Sequence, residues 1–186
     1  VQNNSRAVVD MILGSFDIEI DFDDDGVVDS TASADVSFTS GIIGDNATVN
    51  LGHVEQGQEF TIELDPIGVE LSATALETID SRTISIRKIY DDTLDDTGFY
   101  TLGYYYSIIL PSGLGDIRLT LTYSDTEVTK KNIDEDYFAL YKGTPLQSDL
   151  DTVKNIISAD IEGSGDYVIA SSNMNPLITD ASLSPV

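Results

Sequence analysis

Cysteine and tryptophan are absent from this chain of 186 residues, histidine occurs once, and lysine and arginine together number only nine. Without cysteine there are no disulfides and no thiol chemistry, and a single histidine leaves no basis for a zinc site. No run approaches the roughly 18 apolar residues of a membrane-spanning helix. The shortage of cations has the widest consequence, because 33 acidic residues leave a formal charge of −24. That field repels nucleic-acid phosphates and lipid headgroups, so neither nucleic acid nor membrane insertion is expected. It attracts divalent cations, keeps a concentrated protein soluble, and fits a salty habitat equally well.

Catalytic constellations are also missing. His53 stands alone in "NLGHVEQG", which reads as a surface turn, and no G-x-S-x-G elbow or glycine-rich phosphate loop appears. A paired-carboxylate glycosidase stays open in principle, but nothing selects a pair among so many acids. The expectation is a protein that is not an enzyme.

What is present is a period of two. In "SFDIEIDFD", Phe16, Ile18, Ile20 and Phe22 alternate with Asp17, Glu19, Asp21 and Asp23, the pattern of a half-buried strand. The alternation recurs in "ADVSFTS", "QEFTIELD", "RTISIRKI", "DIRLTLTY", "DYFALYK" and "DYVIAS", and turn-forming segments separate these runs. Residues 98–110, "GFYTLGYYYSIIL", read as one long strand with a bulge or bend at Gly103. The apolar share of 41% is ordinary for a folded chain. These features predict an all-β fold: a single antiparallel β-sandwich over residues 1–186, Ig-like or jelly-roll-like, with about ten strands. Two stretches suit short helices, "SATALETID" (72–80) and "QSDLDTVKNII" (147–157), the latter with Ser148 as N-cap and Leu150, Val153 and Ile157 at helical spacing. Loop or strand remains the alternative for both.

Residues 21–29 place five aspartates around one glycine, a crowding that raises each carboxylate's pKa unless a cation offsets it. The spacing is D-x-D-x-D-G-x-x-D. Asp21, Asp23, Asp25 and Asp29 converge, Gly26 permits a sharp turn, and the Val27 carbonyl supplies a further oxygen. Ca²⁺ takes six to eight oxygens at about 2.3–2.6 Å, which one such loop provides. Position twelve, where an EF-hand has glutamate, is Ala32, and the flanks read as strands. The loop resembles the hairpin calcium loop of integrin-type FG-GAP repeats. That resemblance implies Asp21, Asp23, Asp25, the Val27 carbonyl and Asp29 as ligands, with Asp24 pointing outward. The competing reading is a solvated acidic turn. A second cluster, Asp91, Asp92, Asp95 and Asp96, lacks the register and reads as a surface loop, with a loose second cation loop as the alternative.

Tyr100, Tyr104, Tyr105 and Tyr106 fall close together, and alternate rings point to opposite sides. Tyr100, Tyr104 and Tyr106 on one side form either core or an exposed binding platform for sugar. From Tyr104 onward the order of motifs resembles β-sandwich modules of large bacterial surface proteins. It is carried by Pro111 and Gly113, Leu119 to Tyr123, Tyr137 to Lys142, and Gly165 to Ile169. A tryptophan common in those modules is absent, and Leu146 or Leu150 is expected to fill its space. The resemblance implies extracellular architecture or adhesion and no catalysis.

Val1 in place of Met, and sequons at Asn3 and Asn46, lean towards an exported protein at the cell surface. The leading expectation is a calcium-stabilised structural subunit that polymerises with copies of itself. Apolar segments near the termini, "RAVVDMIL" within residues 1–13 and "NPLITDASL", would add as strands to a neighbour's open edge. The alternative is a carbohydrate-binding or adhesive module that recognises glycans.

Overall fold

The computed structural model describes residues 13–20, 30–41, 44–91, 93–94 and 99–172, with side chains described from residue 44 onward. In chain order the strands are β1 (Leu13–Ile20), β2 (Ser30–Gly41), β3 (Gly44–Val54), β4 (Glu59–Leu64), β5 (Val69–Ala75), β6 (Ile79–Tyr90) and β7 (Tyr100–Thr101). They continue as β8 (Tyr104–Ile109), β9 (Leu114–Thr122), β10 (Phe138–Lys142), β11 (Thr144–Pro145), β12 (Ser148–Asp151), β13 (Ile156–Ile161) and β14 (Gly165–Ser171). One α-helix, α1 (Asp125–Lys131), occurs among the described residues.

Two antiparallel sheets result. The larger runs β1-β2-β3-β6-β8-β14-β10-β11, with β7 paired to β14, and the smaller runs β12-β13-β9-β5-β4. The protein is an all-β sandwich. Period two builds it: in β3, Ala47, Val49 and Leu51 are buried while Asn46, Thr48 and Asn50 are not. In β9 the buried positions are Ile117, Leu119 and Leu121. Both sheets feed one hydrophobic cluster. Each fully buried Leu or Ile contributes about 1.5–3 kcal/mol, so this shared layer dominates stability. Tyr106 reaches across it, donating from its hydroxyl to the Ile67 carbonyl at 2.9 Å.

Two glycines shape the large sheet. Gly44 sits at φ 152°, and a Cβ there would lie 2.1 Å from the Lys88 carbonyl oxygen, so β3 approaches β6 this closely only with glycine. Gly103 has φ 81° and splits the expected long strand into β7 and β8.

Both expected helices are strands and turns instead. Ser72 and Thr74 alternate with buried Leu71, Ala73 and Ala75 in β5. Ser148 starts β12, its hydroxyl accepting from the Leu140 N–H at 3.0 Å and donating to the Leu146 carbonyl at 3.1 Å. Asp151 then accepts from the N–H groups of Val153 and Lys154, making a turn that leaves Val153 93% exposed. The helix forms at α1, where Ser124 and Glu127 close a reciprocal capping box and Asn132 ends it at φ 53°. α1 and the 3-10 turn Glu135–Tyr137 carry the chain from the small sheet back to the large one. Leu146 and Leu150 both pack part-buried against the core.

Candidate functional site

The acidic motif joins the first two strands. β1 and β2 are register-paired from Leu13↔Ser37 to Ile20↔Ser30, so the connection of residues 21–29 starts and ends on directly opposed residues. β2 is in turn paired with β3, Ala34 to Leu51 and Val36 to Val49, which ties the hairpin to the buried core. The expected ligands Asp21, Asp23, Asp25, Val27 and Asp29 themselves lie outside the described residues. β1 is the outermost strand of its sheet among the described residues.

In the second acidic cluster only Asp91 is described; Asp92, Asp95 and Asp96 lie outside. Asp91 accepts hydrogen bonds from Thr93 N–H at 2.9 Å and Thr93 Oγ1 at 2.7 Å, and these bonds hold its carboxyl below the usual range. Its Oδ1 is engaged within its own turn. Among the described residues, no group of three His, Cys, Asp or Glu side chains converges as metal ligands. No helix among them is long and apolar enough to cross a membrane.

The tyrosine platform is corrected by burial. Tyr104 is 2% exposed and Tyr106 fully buried, while Tyr100 is half-buried against the core. Strand alternation sends Tyr104, Tyr106 and Ile108 inward, where large rings displace the most water, and leaves Tyr105 half-buried on the outer face. His53 lies within β3, in place of the expected turn. Its Nδ1 meets Asp80 at 2.6 Å on the surface, and that partner raises its pKa. Asn46, of the second sequon, is half-buried in the middle of the large sheet, paired with Thr39 and Arg87.

A feature absent from the sequence reading gathers around Lys88. In β6, Ile84 and Ile86 are buried, and Lys88 follows in the same parity, its side chain only 12% exposed. Its Nζ lies 3.8 Å from the Tyr104 ring centroid and 5.8 Å from those of Tyr90 and Tyr106. Tyr104 meets both neighbours edge to face, at 6.0 Å and 5.8 Å. Across the gap stands Glu127 of α1, with Oε1 3.9 Å from Nζ. Its other oxygen, Oε2, accepts from the Tyr104 hydroxyl at 3.1 Å and from the Ser124 N–H at 3.2 Å. Burial pushes the Lys88 ammonium below its ordinary pKa, against the opposing pull of Glu127 and Asp45. Burial likewise drives the Tyr104 and Tyr106 phenols far up, so both are neutral donors. Sequence parity carried the signal, since Lys88 sits two residues after an inward isoleucine.

On the opposite face of the molecule, Glu63 of β4 stands directly across from Glu70 of β5, with Asp65, Thr120 and Thr122 lining the same open groove. Partial burial, then Glu70 and Asp65, raise the Glu63 carboxyl above its ordinary pKa. Further along that sheet, Arg118 pairs with Asp149 and, at 3.0 Å, with Asp160. No protein-family model, curated protein or solved structure matches the chain, so its function is argued from these residues alone.

Proposed function

We propose that this chain is an extracellular structural subunit that associates with copies of itself and holds Ca²⁺ at the β1–β2 connection. The observation that carries the reading is the pairing of Ile20 with Ser30, the two residues that flank the D-x-D-x-D-G-x-x-D run in the sequence. The nine residues between that opposed pair include five aspartates, and like charges at such density repel. A dication then turns their repulsion into attraction and pins the hairpin. Asp21, Asp23, Asp25, the Val27 carbonyl and Asp29 are the ligands.

Self-association rests on the edges. β1 and the two-residue β11 bound the large sheet and β4 and β12 the small one among the described residues; β1, β4 and β12 are long enough to offer a row of backbone groups to another strand. The apolar segments of residues 1–13 and 175–183 are the strands to be donated; apart from Leu13, which opens β1, both lie outside the described residues. Calcium neutralises acidic faces that otherwise hold subunits of this charge apart.

Calorimetry tests the metal: the double variant Asp23→Asn/Asp25→Asn should lose Ca²⁺ binding, and an affinity equal to wild type overturns the ligand set. Electron microscopy tests the assembly. Fibres or sheets are expected with calcium, dispersing with chelator or on deletion of residues 1–13, and particles that stay monomeric throughout overturn it. The glycan-binding alternative loses Tyr104 and Tyr106 to the core. What remains for it is Phe99, exposed and tilted at 48° against the Tyr141 ring with centroids 4.9 Å apart, and a glycan array with Tyr141→Ala addresses that pair.

A further inference from the structure

Lys88 and Glu127 play no part in the calcium reading, yet their arrangement is that of two reactants. An amine lies beneath three aromatic rings with its Nζ 3.9 Å from one oxygen of a carboxylate, and the other oxygen is held by two donors. We propose that the Lys88 Nζ and the Glu127 Cδ join in an intramolecular amide after the chain folds, a covalent tie between strand β6 and helix α1.

The roles of the two carboxylate oxygens follow from their contacts. Nζ approaches from the Oε1 side, so addition to Cδ places the developing negative charge on Oε2. The Tyr104 hydroxyl and the Ser124 N–H already point at Oε2, an arrangement of donors that stabilises a tetrahedral intermediate. Oε1 is the leaving oxygen. The N–C bond forms, the Cδ–Oε1 bond breaks, and Oε1 departs as water with two protons that the ammonium gives up. No oxidant, reductant or activated co-reactant enters.

Three physical terms favour the step. Reacting atoms need to come within about 3–3.5 Å, and Nζ stands 3.9 Å from Oε1, an oxygen bonded to Cδ, so a rotamer adjustment has to bring Nζ over Cδ itself. The fold has already fixed both groups, which replaces a bimolecular encounter with an internal one. The reactants are a charged pair partly removed from water, and the products are a neutral amide and water, so the desolvation that penalises the pair vanishes with the reaction. The lowered pKa of Lys88 makes its neutral, nucleophilic form more accessible. Afterwards Oε2, now the amide oxygen, keeps both hydrogen bonds, so the cap of α1 survives.

The placement suits a chain without cysteine. α1 directly follows β9 of the small sheet, whereas β6 lies in the middle of the large one, so a bond between them prevents the sheets from separating.

Intact-mass measurement of the purified full chain decides the matter. The folded protein should be lighter than its sequence by the mass of one water, and a protease digest should yield one branched peptide joining the segments around Lys88 and Glu127. Lys88→Arg and Glu127→Ala should each restore the full mass and abolish the branched peptide. A wild-type protein at full mass overturns the proposal. So does a water loss that maps to the Asp25–Gly26 step, where backbone cyclisation produces the same change. If a variant fails to fold, the wild-type digest settles the question by itself.

Discussion

On the inner side of the large sheet Glu127 faces a lysine, whereas on the outer side of the small sheet Glu63 faces another glutamate. Both carboxylates sit near a β-strand and both are partly exposed, but the chain has cations for only a minority of its acids. Around Lys88 the cation is placed where water is scarce, and aromatic rings supply what solvent would have given it. In the groove the like-charged pair has no such partner among the described residues and lies open to solvent, which screens its repulsion. A scarce lysine is therefore worth most in the interior. At the surface, screening tolerates the deficit.

The largest effect should come from breaking the inner arrangement. Lys88→Ala leaves a gap under Tyr104 and strips Glu127 of its counter-charge. Loss of a buried partner costs about 3–5 kcal/mol when both ions are enclosed. Glu127 keeps one-third of its side-chain exposure, so about 2 kcal/mol is expected in chemical denaturation where the two remain an ion pair, and a larger loss where the proposed amide has formed. Lys88→Met fills the same space and should cost less than half of that. Equal losses for the two variants would mean that charge and not packing holds the cluster. Arg118→Ala sharpens the contrast from outside. Its aspartate partners are 78% and 85% exposed, so its loss should cost about 0.5 kcal/mol at most.

A smaller effect separates the two sides of a single strand. Tyr106→Phe removes the donor to the buried Ile67 carbonyl and should cost about 1–2 kcal/mol. Tyr105→Phe, one residue earlier on the outer face, should leave thermal stability unchanged. A similar loss at both positions would contradict the inward and outward assignment of β8.

Those tyrosines mark how far the sequence could be read. Alternation in "DIRLTLTY" located β9 because apolar and polar residues take turns there, but in "YYYS" both faces carry the same ring, so no pattern says which side is core. Lys88 was legible in principle: parity from Ile84 and Ile86 points it inward, yet its charge argues for the surface, and only the rings donated by β6 and β8 resolve the conflict. The helix was written as Ser124-Asp125-Thr126-Glu127, a capping box that the preceding strand pattern concealed. At Ser148 the reverse occurred, because a hydroxyl suited to capping is used to bond Leu140 and Leu146 across a strand connection. The acidic motif was visible from spacing alone, and the fold adds the opposed residues at its base. Opposition of Glu63 and Glu70 needs the register of β4 on β5, which no local pattern supplies.

The smallest predicted effect lies in that outer groove and should depend on pH. Glu63 has a raised pKa because partial burial, Glu70 and Asp65 all disfavour its charged form. A carboxyl raised in this way binds its proton more readily in the folded chain than in the unfolded one. Stability therefore falls as pH climbs from the ordinary glutamate value of 4.5 through the higher folded value, and recovers as pH drops again. Glu63→Gln removes the charge while keeping the shape. Relief of a like-charged cross-strand pair is worth about 0.3 kcal/mol, so the variant should melt slightly higher than wild type at about pH 7. Near pH 4, below the ordinary value and further below the raised one, the charged form of Glu63 is the minority, and the two melting curves should draw together. A gain that persists unchanged at the lower pH would show that the substituted amide packs better for reasons unrelated to Glu70. The same comparison with Glu70→Gln, which relieves the pair from its other side, should give a matching pH profile if the repulsion is mutual.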